Sequence, residues 1–284
     1  MEKFFLKHKE YNICVYKKGQ GEIPILFLHG AGGDFSMLSW EEVMNLLDES
    51  YTSYAVDLLG YGESDKPKDM AGDEFYEKHL SCLEDIVNQL KLNKFILCGI
   101  SMGGAIAIYY TLRNQAKVKG LIAVDPWGLS EKMYFHKICY FFINTSITRK
   151  SFNYLGKHKW PIKPMIRCSL IGDKSKISDE LVEDIHEVCR KKEAGKTMED
   201  FQRSSIRKYR NVPDFTKDLS KISVPTLFIN GEKDPLVKAE NIIEKVKLMK
   251  NSQVYIMNKC KHWTVKERPE EFVEVIEDFI KSIK

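Results

Sequence analysis

Three residues of this 284-residue chain have the types and setting to turn a weak nucleophile into a strong one: Ser101, Asp234 and His262. A serine hydroxyl attacks a carbonyl only when a base takes its proton, and an imidazole base needs an acid to fix its tautomer. Ser101 stands in Gly99-Ile100-Ser101-Met102-Gly103, directly after the apolar run Phe95-Ile96-Leu97-Cys98. A serine on a sharp strand-to-helix turn projects its hydroxyl clear of a sheet, and its backbone tolerates only small neighbours two residues away. The N–H of Met102, at the start of the following helix, could donate to a developing oxyanion. A second donor is expected from Leu28-His29-Gly30-Ala31-Gly32, where an apolar run ends in backbone with little side-chain cover; Ala31 is the candidate, with Gly32 beside it. His29 itself reads as a structural hydrogen-bonder.

Asp234 follows the run Leu227-Phe228-Ile229-Asn230 in the turn Gly231-Glu232-Lys233-Asp234, and His262 follows Val254-Tyr255-Ile256-Met257. Asp125, at the end of Leu121-Ile122-Ala123-Val124, is the competing acid; the glycine turn shortly before the histidine favours Asp234. All these groups fall where strands end, the edge at which open α/β sheets bind ligands. The order along the chain is Ser, Asp, His, one of the known orders for such a triad.

The elements that must position them alternate. Strands are expected over 11–18, 24–28, 51–57, about 95–98, 121–128, 224–234 and 253–263. Amphipathic helices are expected over 39–49, with Ser39 as N-cap, over 73–92, after Ser101, and over 269–283. Runs apolar on both faces belong to a mainly parallel sheet covered by helices, an α/β fold. Between about 128 and 212 the strand signals vanish. That stretch holds 18 Lys+Arg against 10 Asp+Glu, while the whole chain is only +4. It reads as a helical insertion, with 1–127 and 213–284 forming one core. Its aromatic segment 133–143 suggests a substrate pocket from Phe135, Tyr140, Phe141 and Phe142. The basic residues around 190–192 and 203–210 read as a solvated face.

Together these motifs, with Asp57-Leu58-Leu59-Gly60-Tyr61-Gly62-Glu63-Ser64 after the run ending at Val56, resemble the α/β-hydrolase superfamily of the cap-bearing kind. Asp57 and Ser64 are expected to brace their loop. The resemblance covers about residue 11 to 284 outside the insertion. It implies an α/β-hydrolase fold, with a cap inserted after the sixth sheet strand. It also implies a serine hydrolase acting on a small-molecule acyl substrate, first a carboxylic ester. A carbon–carbon bond hydrolase, a perhydrolase, a thioesterase or a ligand-binding protein of the same fold are the alternatives. The family often has a small residue where Lys261 precedes the histidine.

Composition excludes other classes. The apolar share of 43% supports a packed core, and the mixed charge argues against a nucleic-acid partner. No apolar run has the length of a membrane span or a secretory leader, so a cytoplasmic protein is expected. The seven cysteines form no CxxC pair, so neither a metal site nor a disulfide framework is expected, and no cofactor is implied. No pattern specifies an oligomeric state.

Overall fold

The computed structural model describes residues 1–133, 135–191 and 193–283; Tyr134 of the aromatic segment and Lys192 of the basic run lie outside the described residues. Eight strands form one sheet: β1 (Glu2–His8), β2 (Tyr11–Lys18), β3 (Ile23–Leu28), β4 (Tyr51–Val56), β5 (Phe95–Ile100), β6 (Val118–Val124), β7 (Thr226–Gly231) and β8 (Ser252–Met257). Their spatial order is β1-β2-β4-β3-β5-β6-β7-β8. The β1–β2 and β2–β4 pairs are antiparallel, and every later pair is parallel. The central strands β5 and β7 are buried along their whole length. Such strands need cover on both faces, which is why their sequences run apolar without alternation.

Helices α1 (Ser36–Leu46), α2 (Phe75–Gln89) and α3 (Met102–Arg113) follow β3, β4 and β5. Between β6 and β7 lie five more: α4 (His136–Ile143), α5 (Ile147–Lys157), α6 (Ile162–Ser169), α7 (Asp179–Arg190) and α8 (Ala194–Ser205). After β7 come α9 (Ala239–Val246), α10 (Thr264–Glu267) and α11 (Pro269–Ser282). Two apolar cores sandwich the sheet. One packs α2 and α3 against it through Leu83, Ile86, Ile106 and Tyr110; the other packs α1 and α11 through Trp40, Val43, Phe272 and Ile276. Among the described residues no helix is long and apolar enough to cross a membrane.

Two sequence expectations need correction. Helix α1 begins at Ser36, not Ser39, and Ser39 is no cap: its hydroxyl, buried in the first turn, donates to Asp34. Strand β1 was unexpected, because a Lys-flanked edge strand with one half-buried face gives a weak apolar signal.

Candidate active site

Ser101 sits between β5 and α3 with φ +53° and ψ −114°, a left-handed conformation that costs a non-glycine residue energy. Its neighbours explain how the turn closes. A Cβ at Gly99 would collide with the Gly103 carbonyl, and one at Gly103 with the carbonyl oxygens of Leu28 and His29. Two bonds fix the turn from the sheet side: the Ser101 N–H donates to the Val124 carbonyl at 2.9 Å, and the Ser101 carbonyl accepts from the Trp127 N–H at 3.0 Å. The Met102 N–H opens α3, where a helix leaves its first donors without internal acceptors.

The loop after β3 lies against this turn: a Cβ on Gly30 would stand 3.5 Å from Ser101 Cβ. Ala31 is half-buried there, and Gly32 has φ +86°. Asp34 holds the loop, accepting from the Gly30 N–H at 2.7 Å, the Phe35 N–H at 2.9 Å and the Ser39 hydroxyl at 2.8 Å. His29 links the loop to its neighbour: Nε2 accepts from the Leu58 N–H at 3.0 Å, and Nδ1 lies 2.7 Å from the Gly30 carbonyl. Asp57 and Ser64 brace the loop after β4, as expected. Asp57 accepts from the Ser36 hydroxyl and from the Glu63 N–H, and the Ser64 hydroxyl donates to the Asp57 carbonyl.

At the carboxyl ends of β7 and β8, His262 Nδ1 lies 2.7 Å from Asp234 Oδ2. The other carboxylate oxygen of Asp234 accepts two backbone N–H groups, from Leu236 at 2.7 Å and Val237 at 3.0 Å. Asp125 ends β6 nearby, but its oxygens accept from the Gly231 N–H and the Thr264 hydroxyl, each at 2.8 Å. The geometry thus makes Asp234 the hydrogen-bond partner of the imidazole and Asp125 a brace between β7 and α10. Lys261 fits its position by reaching away: its ammonium donates to the carbonyls of Arg167 and Cys168 at the end of α6. Its own carbonyl crowds Gly231, where a Cβ would collide with it.

Charge within this cluster is unequally shared. Burial first, and the charge of Asp234 second, push the Asp125 carboxyl well above the usual carboxylate range, against the lowering effects of His262 and its own hydrogen bonds. Burial lowers the affinity of His262 for a proton, but the charge of Asp234 and its hydrogen bond, then Asp125 and Asp34, outweigh it and raise the imidazole above its ordinary value. Atoms of Asp125, Asp234 and His262 lie within 4.8 Å of one another, as three metal ligands would. Every carboxylate oxygen in the cluster already has a protein partner: Asp234 has His262, Leu236 and Val237, and Asp125 has Gly231 and Thr264.

The aromatics expected to line a pocket are largely exposed: Phe135 is 76% exposed and Phe141 67%, Phe142 is exposed and Tyr140 half-buried. In helix α4, His136 and Ile143 are buried and Cys139 and Tyr140 half-buried, while Ile138, Phe141 and Phe142 meet solvent. Side chains from α7 and α8 stand over these loops: Val188 faces Gly33 and Met198 faces Gly32 in the loop after β3, and Thr197 faces Gly60 in the loop after β4. Tyr61 closes the gap, its hydroxyl 3.3 Å from the Thr197 carbonyl and 3.5 Å from Met102 Sδ. The sequence reading missed these residues and Asp34. An acid five residues before a serine at a helix start signals such a brace, whereas nothing in an amphipathic helix reveals which loop it will cover.

A family model described as alpha/beta hydrolase fold matches residues 23–269. A 2-hydroxy-6-oxo-6-(2'-aminophenyl)hexa-2,4-dienoic acid hydrolase of Metapseudomonas resinovorans is 28% identical over 92% of this chain and 85% of its own length. A serine hydrolase from the polyaromatic-hydrocarbon-degrading bacterium Cycloclasticus zankles superposes with a TM-score of 0.81 at 18% identity, covering 99% of this chain and 98% of that one. A thermophilic esterase from Thermogutta terrifontis, solved with malate, gives 0.73 at 18% identity, covering 100% and 99%.

Proposed function

This chain belongs to the alpha/beta hydrolase fold family, and from that premise we propose that it is a serine hydrolase cleaving a small carboxylic ester or related acyl substrate. The observation that carries the reading is the pairing of a left-handed Ser101 at a strand-to-helix turn with a His262–Asp234 hydrogen bond at the same sheet edge. Ser101 Oγ attacks the carbonyl carbon while His262 Nε2 takes the hydroxyl proton. Asp234 keeps the other imidazole proton on Nδ1, so that Nε2 presents a lone pair. The N–H groups of Met102 and Ala31 hold the oxyanion. Collapse of the tetrahedral adduct expels the alcohol, which receives its proton from His262. Water, deprotonated by His262, then releases the acid and restores Ser101. The helices between β6 and β7 act as a cap, with Val188 and Met198 as the pocket wall over the oxyanion loop.

A second reading is hydrolysis of a carbon–carbon bond beside a ketone, favoured by the Metapseudomonas relative, which matches most of both chains. Turnover of short-chain chromogenic esters and of a vinylogous 1,5-diketo acid by the same preparation separates the two. The ester reading expects ester turnover that Ser101→Ala abolishes; turnover of the diketo acid alone would replace it with the second reading.

A further inference from the structure

The charge and apolar surface of the helical segment are segregated in a way that catalysis at Ser101 does not use. Residues 132–172 contain eight Lys+Arg and no Asp or Glu. Eight of the sixteen exposed large apolar side chains among the described residues fall in this same stretch. They concentrate on α4, where His136 and Ile143 point inward and Ile138, Phe141 and Phe142 recur at helical spacing on the outer face, with Lys137 beside them. Next to this face lies a groove of about 460 Å³ lined by Phe135, Ile138 and Tyr209 together with Lys132, Lys137 and Lys208. His136 Nε2 binds the Arg207 carbonyl at 2.7 Å and thereby joins the helix to the far wall of the groove. Lys137 and Lys208 pair with no carboxylate among the described residues; Lys208 instead stands 5.2 Å from the centre of the Tyr209 ring.

We propose that the outer face of α4 and the adjoining groove dock the protein on an anionic phospholipid bilayer. The chemistry matches at two depths. Aromatic and branched side chains enter the boundary between headgroups and acyl chains, while lysines on flexible stems stay at the level of the phosphates. A contiguous apolar face of this kind is unusual on a protein with no surface to meet. Two other occupants fit less well. A second copy related by a two-fold axis would set this lysine-bearing patch against itself, like charge facing like. A dissolved polyanion would satisfy the lysines but leave Ile138, Phe141 and Phe142 in water.

The test is co-sedimentation of the full chain with vesicles of phosphatidylglycerol mixed with phosphatidylcholine, compared with phosphatidylcholine alone, at low and high salt. Binding is expected to the anionic vesicles and to weaken with salt. Lys137→Glu with Lys208→Glu should lower partitioning at least ~20-fold, at about fivefold per lysine removed. Phe141→Ser with Phe142→Ser should lower it about tenfold or more. Far-UV circular dichroism and the melting temperature check that each variant is folded; should the phenylalanine pair unfold the chain, the surface lysine pair still decides. Equal binding to both vesicle types, or undiminished binding by the lysine variant, would overturn the proposal. So would a dimer that the phenylalanine variant dissociates, since the face would then belong to a second copy. The readout does not involve turnover, so its failure is distinguishable from failure of the hydrolase reading.

Discussion

Replacing Asp234 by Asn should cost far more than the loss of one charge, because the structure dictates which way the new amide turns. In the native site Asp234 Oδ1 accepts from the Leu236 and Val237 N–H groups, and Oδ2 faces His262 Nδ1 at 2.7 Å. An Asn keeps the two backbone bonds only by placing its oxygen at the Oδ1 position. Its NH2 then faces His262 and donates to Nδ1, which pushes the imidazole proton onto Nε2, the atom that must accept from Ser101. Flipping the amide to rescue the tautomer forfeits two backbone hydrogen bonds, each worth about 1 kcal/mol net, and sets donor against donor. The wrong tautomer is therefore locked in. The serine-protease precedent puts its cost at about 10⁴ in kcat, close to 5.5 kcal/mol of barrier. The matched control is Asp125→Asn. Burial raises the affinity of Asp125 for a proton, and its partner Thr264 has a hydroxyl that can accept as well as donate. Its Asn variant can keep the Gly231 bond through its oxygen and donate its NH2 to the Thr264 hydroxyl, and should stay within about tenfold of wild type. The assay is steady-state hydrolysis of a p-nitrophenyl ester by each folded variant, with the melting temperature measured in parallel. An Asp234→Asn enzyme within tenfold of wild type, or an Asp125→Asn enzyme that is the more damaged, would refute the reasoning.

Three further outcomes follow from the same geometry. Met198→Ala and Val188→Ala should change the ratio of kcat/KM on acetate, butyrate and octanoate esters, within the ~1–3 kcal/mol that a methylene is worth in an apolar pocket. Phe141→Ala should leave that ratio alone, and the opposite pattern would return the pocket to α4. His262 must be neutral to act, and its pKa is raised from 6.5, so kcat/KM should rise with pH through a midpoint above that value; a midpoint below it would contradict the carboxyl influence. His79 is buried with no described partner for either ring nitrogen, and burial lowers its pKa to about 3. The unfolded chain therefore binds a proton that the folded one refuses as pH falls from about 6.5 to about 3, and stability declines across that window. His79→Leu should flatten the decline and stabilise the neutral-pH protein by about 1–3 kcal/mol in denaturant unfolding; destabilisation would mean that the ring nitrogens are satisfied.

The legible part of the sequence was the part whose local chemistry is self-contained. Gly99 precedes Ser101 because the Gly103 carbonyl oxygen occupies the space where its Cβ would stand, a requirement written within five residues. The continuous apolar runs of β5 and β7 likewise announce burial on both faces. What was not legible depended on partners far along the chain. Ser39 looks like a cap until Asp34 and Trp263 claim its hydroxyl. The glycine turn singled out Asp234 as the imidazole's partner, but nothing near Asp125 in sequence announced that it braces Gly231 and Thr264. The aromatic stretch of α4 is apolar nearly all round, a pattern equally compatible with a pocket, a core or a surface, and only the packing of the helix reveals that Ile138, Phe141 and Phe142 are exposed.

The most direct measurement of the central claim is covalent labelling with a fluorophosphonate, followed by mass-spectrometric mapping of the modified peptide. The phosphorus centre reacts with a serine only when an adjacent base has activated it. One stoichiometric adduct is expected, on Ser101, formed at a rate that rises with pH as His262 loses its proton and absent from Ser101→Ala. An adduct on a different serine, or an unlabelled wild-type enzyme that still hydrolyses esters, would contradict it.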